Sequence, residues 1–158
     1  MKKTSAAIAL ALFVLGCDVF KTVEPPPSPE EAVKKMVTEC TKAANAKNVG
    51  ALIPYVSDNF IGPNGLTKPQ MQQVLHGQVF RNPDLQVLFV PKLEIKPTGK
   101  ESADVTATVV FGRVKAKTLE DLPRSEIAAI YKIEGTAARV GEQGWRFTSA
   151  KYDTAEAW

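Results

Sequence analysis

The sequence predicts an α+β domain in which three N-terminal helices pack on a curved four-stranded antiparallel sheet. Three observations predict it. Apolar residues recur every three to four positions between residues 29 and 81, they recur every second position after Pro83, and the alternating stretches are separated by turn-forming residues. Strands joined by short turns pair antiparallel, and helices gathered ahead of such a sheet cover one of its faces. A length of 158 residues suits one domain with a single core. With 44% hydrophobic, 23% charged and 8% aromatic residues, a collagen-like, coiled-coil or wholly disordered chain is excluded.

The helical elements carry their own start signals. Ser28-Pro29-Glu30-Glu31 supplies a capping hydroxyl, a proline at the first helical position and a glutamate three residues after the cap. Val33, Met36, Val37, Cys40 and Ala44 follow as one apolar stripe, which predicts a buried, inert Cys40 thiol. On the opposite face Glu30 with Lys34 and Glu31 with Lys35 are spaced as i,i+4 pairs. Asn48 is placed to cap a second, short helix through Ala51, Leu52 and Ile53, which Pro54 disturbs. Residues 59–65 read as a brief extended piece and a turn, punctuated by Gly62-Pro63 and Asn64-Gly65. Thr67 with Gln70 forms another capping box, and Met71, Val74, Leu75 and Val79 give the third helix its stripe. Asn82-Pro83 stops that helix, because a residue before proline is pushed out of the α region.

Four alternating stretches then follow. Val87, Phe89, Leu93 and Ile95 mark the first strand, where Pro91 predicts an edge or a bulge. Val105, Ala107, Val109 and Phe111 mark the second, Ile127, Ala129, Tyr131 and Ile133 the third, and Trp145 with Phe147 the fourth. Residues 141–144, with a glycine at each end, make the tight connection between the last two.

Ahead of the domain the chain has a different character. Lys2 and Lys3 precede an unbroken apolar run over residues 6–15, which as a helix covers roughly 15 Å, half the hydrocarbon thickness of a bilayer. Basic, then apolar, then small at Gly16 is the order of a secretory signal peptide. Val14-Leu15-Gly16-Cys17 resembles the lipobox of bacterial lipoproteins, with Val14 and Leu15 departing from the usual leucine and small residue. That resemblance implies a signal peptide over 1–16, acylation of Cys17 and its new amino group, and anchorage in a membrane. Two or three acyl chains, at about 0.8 kcal/mol per buried methylene, make such an anchor effectively permanent. Asp18 resembles the inner-membrane retention signal of enteric bacteria, which implies a periplasm-facing protein on the inner membrane. Residues 17–28 form the lipidated cysteine and a tether in which Pro25-Pro26-Pro27 favours an extended, semi-rigid path. The folded domain is expected over 29–158.

Charge and cysteine content narrow the function classes. The net charge is +3; without Lys2 and Lys3 it falls to 18 basic against 17 acidic residues, which is no electrostatic footprint for nucleic acid. With Cys17 lipidated, Cys40 alone cannot form an intrachain disulfide, and a single histidine gives no basis for a histidine-rich metal site, so no metal or cofactor is expected. Phosphate-binding loops, dinucleotide fingerprints and the Gly-x-Ser-x-Gly elbow do not occur, and Ser57-Asp58-Asn59 lacks the companion motifs of a serine β-lactamase.

The order of elements, together with ALIPYVSDNF at 51–60, the Asn64-Gly65 turn and GWRFTSAKY at 144–152, resembles the nuclear-transport-factor-2-like superfamily, whose cystatin-like α+β cone encloses a pocket. The resemblance implies such a cone over the domain. Its members include ketosteroid isomerase and scytalone dehydratase as well as non-catalytic binding and dimerising domains, so the fold leaves function open. An isomerase needs a carboxylate facing the pocket as base and hydrogen-bond donors for the oxyanion. Tyr55, Asp58 and His76 are the nearest residue types available, without a one-to-one match to the catalytic motif; turn capping for Asp58 and a solvent-edge place for His76 are the plainer readings. Tyr131, Trp145, Phe147 and Tyr152 are candidates to line a pocket or a sheet-to-sheet homodimer interface. Arg113, Lys115 and Lys117 alternate as a charged rim that discourages edge pairing. The resulting expectation is a membrane-anchored lipoprotein whose non-catalytic domain binds a small apolar ligand or a protein partner in the cell envelope. The alternatives are a small isomerase, dehydratase or hydrolase, and a scaffold or dimerising subunit of an envelope complex.

Overall fold

The computed structural model describes residues 26–114, 121 and 123–155, with the side chains of 88–91 excepted. Cys17, Asp18, the expected signal peptide, most of the expected tether, Lys115 and Lys117 lie outside the described residues. Among the described residues no helix is long and apolar enough to cross a membrane.

Helix α1 (Pro29–Asn45) begins where its capping box dictates. Ser28 Oγ accepts from the Glu31 N–H at 3.3 Å, and Glu31 Oε2 accepts from the Ser28 N–H at 3.0 Å. Glu31 thus serves the cap and not Lys35; the ion pair that α1 forms is Lys42 with Glu39 at 2.8 Å, a correction to the pairing expected from spacing. Asn48 Oδ1 accepts from the Ala51 N–H at 2.9 Å and starts the four-residue α2 (Val49–Leu52). Pro54 ends it by diverting the chain into a 3-10 turn over Ile53–Tyr55. Asn64 and Gly65 then take positive φ (57° and 76°), as the turn signal predicts. Thr67 donates its N–H and its hydroxyl to Gln70 Oε1 at the start of α3 (Lys68–Arg81), and the helix ends at Asn82, just before Pro83.

The sheet corrects the expected strand count. Five strands occur among the described residues: β1 (Val56–Ile61), β2 (Gln86–Pro97), β3 (Ser102–Gly112), β4 (Ile127–Arg139) and β5 (Trp145–Thr154), in the order β1-β5-β4-β3-β2. Four of them are the antiparallel meander that the alternation predicts; the additional β1 lies parallel to β5, Val56 opposite Phe147. Residues 59–65 therefore hold the end of a strand, not an isolated extended piece. Pro91 acts as expected: β2 is an edge strand, and its register against β3 shifts between Phe89 and Lys92.

The inward face of this sheet curls around α1. Val33 and Met36 from the first half of the helix are buried against Ala103, Val105 and Ala137, and Tyr55, Leu93, Ile95, Trp145 and Phe147 pack around them. Met36→Ala there costs about 2–5 kcal/mol, the range for emptying a packed core position. The outward face carries ion pairs along β2, β4 and β5, while Val110 of β3 and its partner Ile130 of β4 form a buried apolar pair on it. Lys92 pairs with Glu94 at 3.0 Å on β2, and Glu134 on β4 takes both Lys132 and Lys151, the latter at 2.7 Å. In the middle of the sheet Gly135 has no room for a side chain, because a Cβ there would meet the Ser149 carbonyl of β5. The β4–β5 register shifts immediately afterwards, between Thr136 and Ala137, which lets the strands bend.

Candidate functional site

The second half of α1 packs on the core at Val37 and Cys40 and also borders a cavity. Past Met36 its stripe continues as Val37, Cys40, Thr41 and Ala44, and these residues look into a cavity of about 280 Å³ between the helix and the curled sheet. Met71 and Leu75 of α3 and Leu52 of α2 close a second side, and Val56 and Phe60 of β1 a third. The sheet supplies Val105, Ala107, Val109 and Phe111 from β3, Ile133 and Gly135 from β4, Phe147 and Ala150 from β5, and Val87 at the edge. The void exists because three positions of its wall, Ala44, Ala107 and Ala150, carry only a methyl group where a larger side chain would take up space.

Asn45 fastens the wall of this cavity at the edge strand. It donates Nδ2–H to the Val87 carbonyl and accepts the Val87 N–H on Oδ1, each at 2.8 Å, and so ties the last residue of α1 to the start of β2. Next to it a smaller apolar recess of about 110 Å³ shares Ala44, Leu52, Leu75, Val87 and Phe111 with the main cavity and is rimmed by Lys47, Asn48, Gln78 and Asn82.

The chemistry of the cavity wall is spare. Thr41 spends its hydroxyl hydrogen on the Val37 carbonyl at 3.0 Å, inside its own helix. Cys40 is the ionisable group of the main cavity, and burial pushes its thiol up to about 12, so it remains a neutral, inert group as its place in the stripe predicts. Among the described residues the lining holds no carboxylate and no imidazole.

The catalytic candidates stand elsewhere. Asp58 is 80% exposed on β1 and binds Lys68 Nζ at 2.8 Å; that ammonium holds its carboxyl below the usual carboxylate range. A carboxylate exposed to water and kept ionised by a lysine is a surface ion pair, not a pocket base. His76 is exposed on α3. Tyr55 packs against the filled end of the core, where the Arg146 guanidinium lies 5.9 Å from its ring centroid. None of the three lines the cavity, and the structure does not bring them together there.

Of the four aromatic pocket candidates only Phe147 reaches the cavity. Trp145 packs into the filled end of the cone with Val33 and Met36. Tyr131 meets Phe111 edge-on, with centroids 5.8 Å apart, and Tyr152 meets Tyr131 in the same way at 5.5 Å; both share the sheet face of Val109 and Ile133, their cross-strand partners, without lining the cavity. Arg113 is exposed just after β3. Among the described residues no group of three or more histidine, cysteine, aspartate or glutamate side chains gathers to hold a metal ion.

Comparison with solved structures places this architecture. An NTF2-like protein with a cystatin-like fold from Novosphingobium aromaticivorans superposes with a TM-score of 0.64 at 14% identity, over 82% of this chain and 83% of that one. The chain has the NTF2-like, cystatin-like fold. A candidate scytalone dehydratase from the same organism matches at a TM-score of 0.63 and 15% identity, over 80% and 84% of the two chains. Aln2 from a Streptomyces species matches at 0.64 and 11%, over 81% and 93%. No sequence-family profile and no curated protein sequence matches the chain. At these identities the likeness is one of fold, and NTF2-like proteins put many functions on it.

Proposed function

We propose that this NTF2-like chain is a membrane-tethered, non-catalytic binding domain whose cavity takes a small apolar molecule. The observation that carries the reading is the cavity itself: about 280 Å³ of apolar wall with no carboxylate or imidazole lining it, close to the lower end of the size range of small-molecule pockets. An isomerase or dehydratase needs an acid–base group within hydrogen-bond reach of its substrate, and the residue types available for that work stand outside the cavity. A scaffold that docks through its sheet needs a broad apolar outward face, whereas ion pairs of Lys92, Glu94, Lys132, Glu134 and Lys151 occupy part of this one.

The tether belongs to the same proposal. Lipidation of Cys17 follows from the lipobox-like Val14-Leu15-Gly16-Cys17, the basic and apolar residues before it, and the proline-rich spacer after it. Asp18 favours the periplasmic side of the inner membrane. Such a domain holds or passes on an apolar molecule close to the bilayer in which it dissolves.

Labelled palmitate fed to cells that express the full chain tests the anchor. The label is expected in the wild type and absent from Cys17→Ser, with the unlabelled product moving from the membrane to the soluble fraction. An unlabelled wild type that retains its first 16 residues would remove the anchor from the proposal. Ketone isomerisation or dehydration that Asp58→Asn abolishes would remove the non-catalytic reading.

A further inference from the structure

The rim of the smaller recess has a polarity that says what the apolar molecule carries at its end. Lys47, at half burial, is the one charged residue lining either recess or cavity, and it forms no ion pair among the described residues. Its neighbours offer donors. Asn48 Oδ1 is already occupied by the Ala51 N–H at 2.9 Å, and Gln78 Oε1 by Asn82 Nδ2–H at 3.0 Å. Backbone groups fix both amide orientations: the Ala51 N–H requires an oxygen at Asn48, and the Gln78 carbonyl, 3.4 Å from Asn82 Nδ2, requires a nitrogen there. The NH2 groups of Asn48 and Gln78 remain unbonded among the described residues. A cation and two amide donors suit an anionic oxygen head group, and Asn82 Oδ1 is the one side-chain oxygen of the rim without a partner among the described residues.

Backbone conformation adds a second observation. Lys47 has φ +56°, in the left-handed region where a helix end ordinarily takes glycine or asparagine. The Lys47 N–H donates to the Ala44 carbonyl and the Asn48 N–H to the Ala43 carbonyl, each at 3.0 Å, the bond pair that closes α1 with a left-handed residue and so fixes the lysine backbone beside the recess. Because the recess and the cavity share five wall residues, an alkyl chain can lie in the cavity while its head stays at the rim.

We propose that the ligand is an alkyl carboxylate, with its chain in the cavity and its carboxylate held by Lys47 and the amides of Asn48 and Gln78. The inference rests on the apolar-ligand reading and adds its head group. A single lysine matches a single negative charge; a phosphate monoester brings about −1.5 to −2 at neutral pH and leaves part of it uncompensated.

Calorimetric titration of the intact protein with octanoate, octanol and octyl phosphate separates these terms. Lys47→Asn removes the charge and keeps a residue that tolerates positive φ, and Lys47→Arg keeps the charge. Octanoate affinity is expected to fall about tenfold in Lys47→Asn, the size of one charge-assisted hydrogen bond, and to be retained in Lys47→Arg, while octanol affinity is unchanged in both. Equal effects on octanoate and octanol, or none on either, overturn the carboxylate assignment and leave the apolar cavity standing. Octyl phosphate binding more tightly than octanoate overturns the choice of carboxylate. Failure of every probe to bind the wild type overturns the apolar-ligand reading with it.

Discussion

Glu134 shows how a single residue of the outward face responds to its surroundings. Hydrogen bonds from the ammonium groups of Lys132 and Lys151, and then their charges, pull its carboxyl from 4.5 to about 2. A carboxyl lowered on folding contributes stability that is fully present above its unfolded value and is lost as the pH falls through the folded value. The difference in melting temperature between wild type and Glu134→Gln is therefore expected to be largest above pH 4.5 and to close as the pH falls toward 2. It should also shrink with added salt, because all three groups face water. A gap that stays constant across that range contradicts the assignment. For Cys40 the sign is reversed: burial raises its thiol to about 12, so iodoacetamide at pH 8 is expected to leave the folded protein unmodified and to label it rapidly in urea. Rapid labelling of the native state would mean that the cavity admits the reagent and stabilises the thiolate. At this scale the sequence placed Cys40 on the inward stripe and His76 at the solvent edge, where the structure has them, whereas the place of Asp58 depended on an ion-pair partner, Lys68, that spacing does not contain.

Local signals and distant pairings behave differently at the level of the elements. Ser28, Asn48 and Thr67 were legible as helix starts because each cap closes within three residues, and the structure realises all three bonds to the expected partners. Strand β1 was not legible as part of the sheet, since its partner β5 lies at the far end of the chain and a parallel edge pair leaves no turn to announce it. The stripe of α3 was only partly legible: Leu75 turns inward, but Val74 is exposed, because a short helix laid over the mouth of the cone buries a narrower face than the sequence suggests. Two substitutions test the elements that shape the cavity. Asn45→Ala removes both bonds to Val87 and is expected to cost about 1 kcal/mol in urea denaturation, loosening the join between α1 and β2. Gly135→Ala forces a Cβ against the Ser149 carbonyl and is expected to cost about 1–3 kcal/mol, as overpacking does. Wild-type stability in either variant would mean that the contact on which it rests carries no weight.

For the molecule as a whole, the periodicity that revealed the fold concealed the site. Val105, Ala107, Val109 and Phe111 alternate as any core-facing strand does, and Val37, Cys40 and Ala44 continue the same stripe as Val33 and Met36. Period says which side chains point inward; whether they meet depends on the summed volume of residues far apart in the chain. One end of the cone is closed by Val33, Met36, Trp145 and their neighbours, and the other stays open where Ala44, Ala107 and Ala150 line the wall with single methyl groups. Of the aromatic residues that sequence singled out, Trp145 belongs to the closed end and Tyr131 and Tyr152 to an edge-on series with Phe111, and only Phe147 of the four lines the cavity.

A fluorescence titration with N-phenylnaphthylamine, comparing wild type with Ala107→Leu, tests the central claim most directly. The wild type is expected to bind one equivalent with enhanced emission; the leucine, placed in the void, is expected to abolish binding while raising stability by about 0.5–2 kcal/mol, as cavity filling does. A wild type that does not bind the probe, or an Ala107→Leu variant that binds it equally well, would contradict the assignment of this cavity as the working site of the domain.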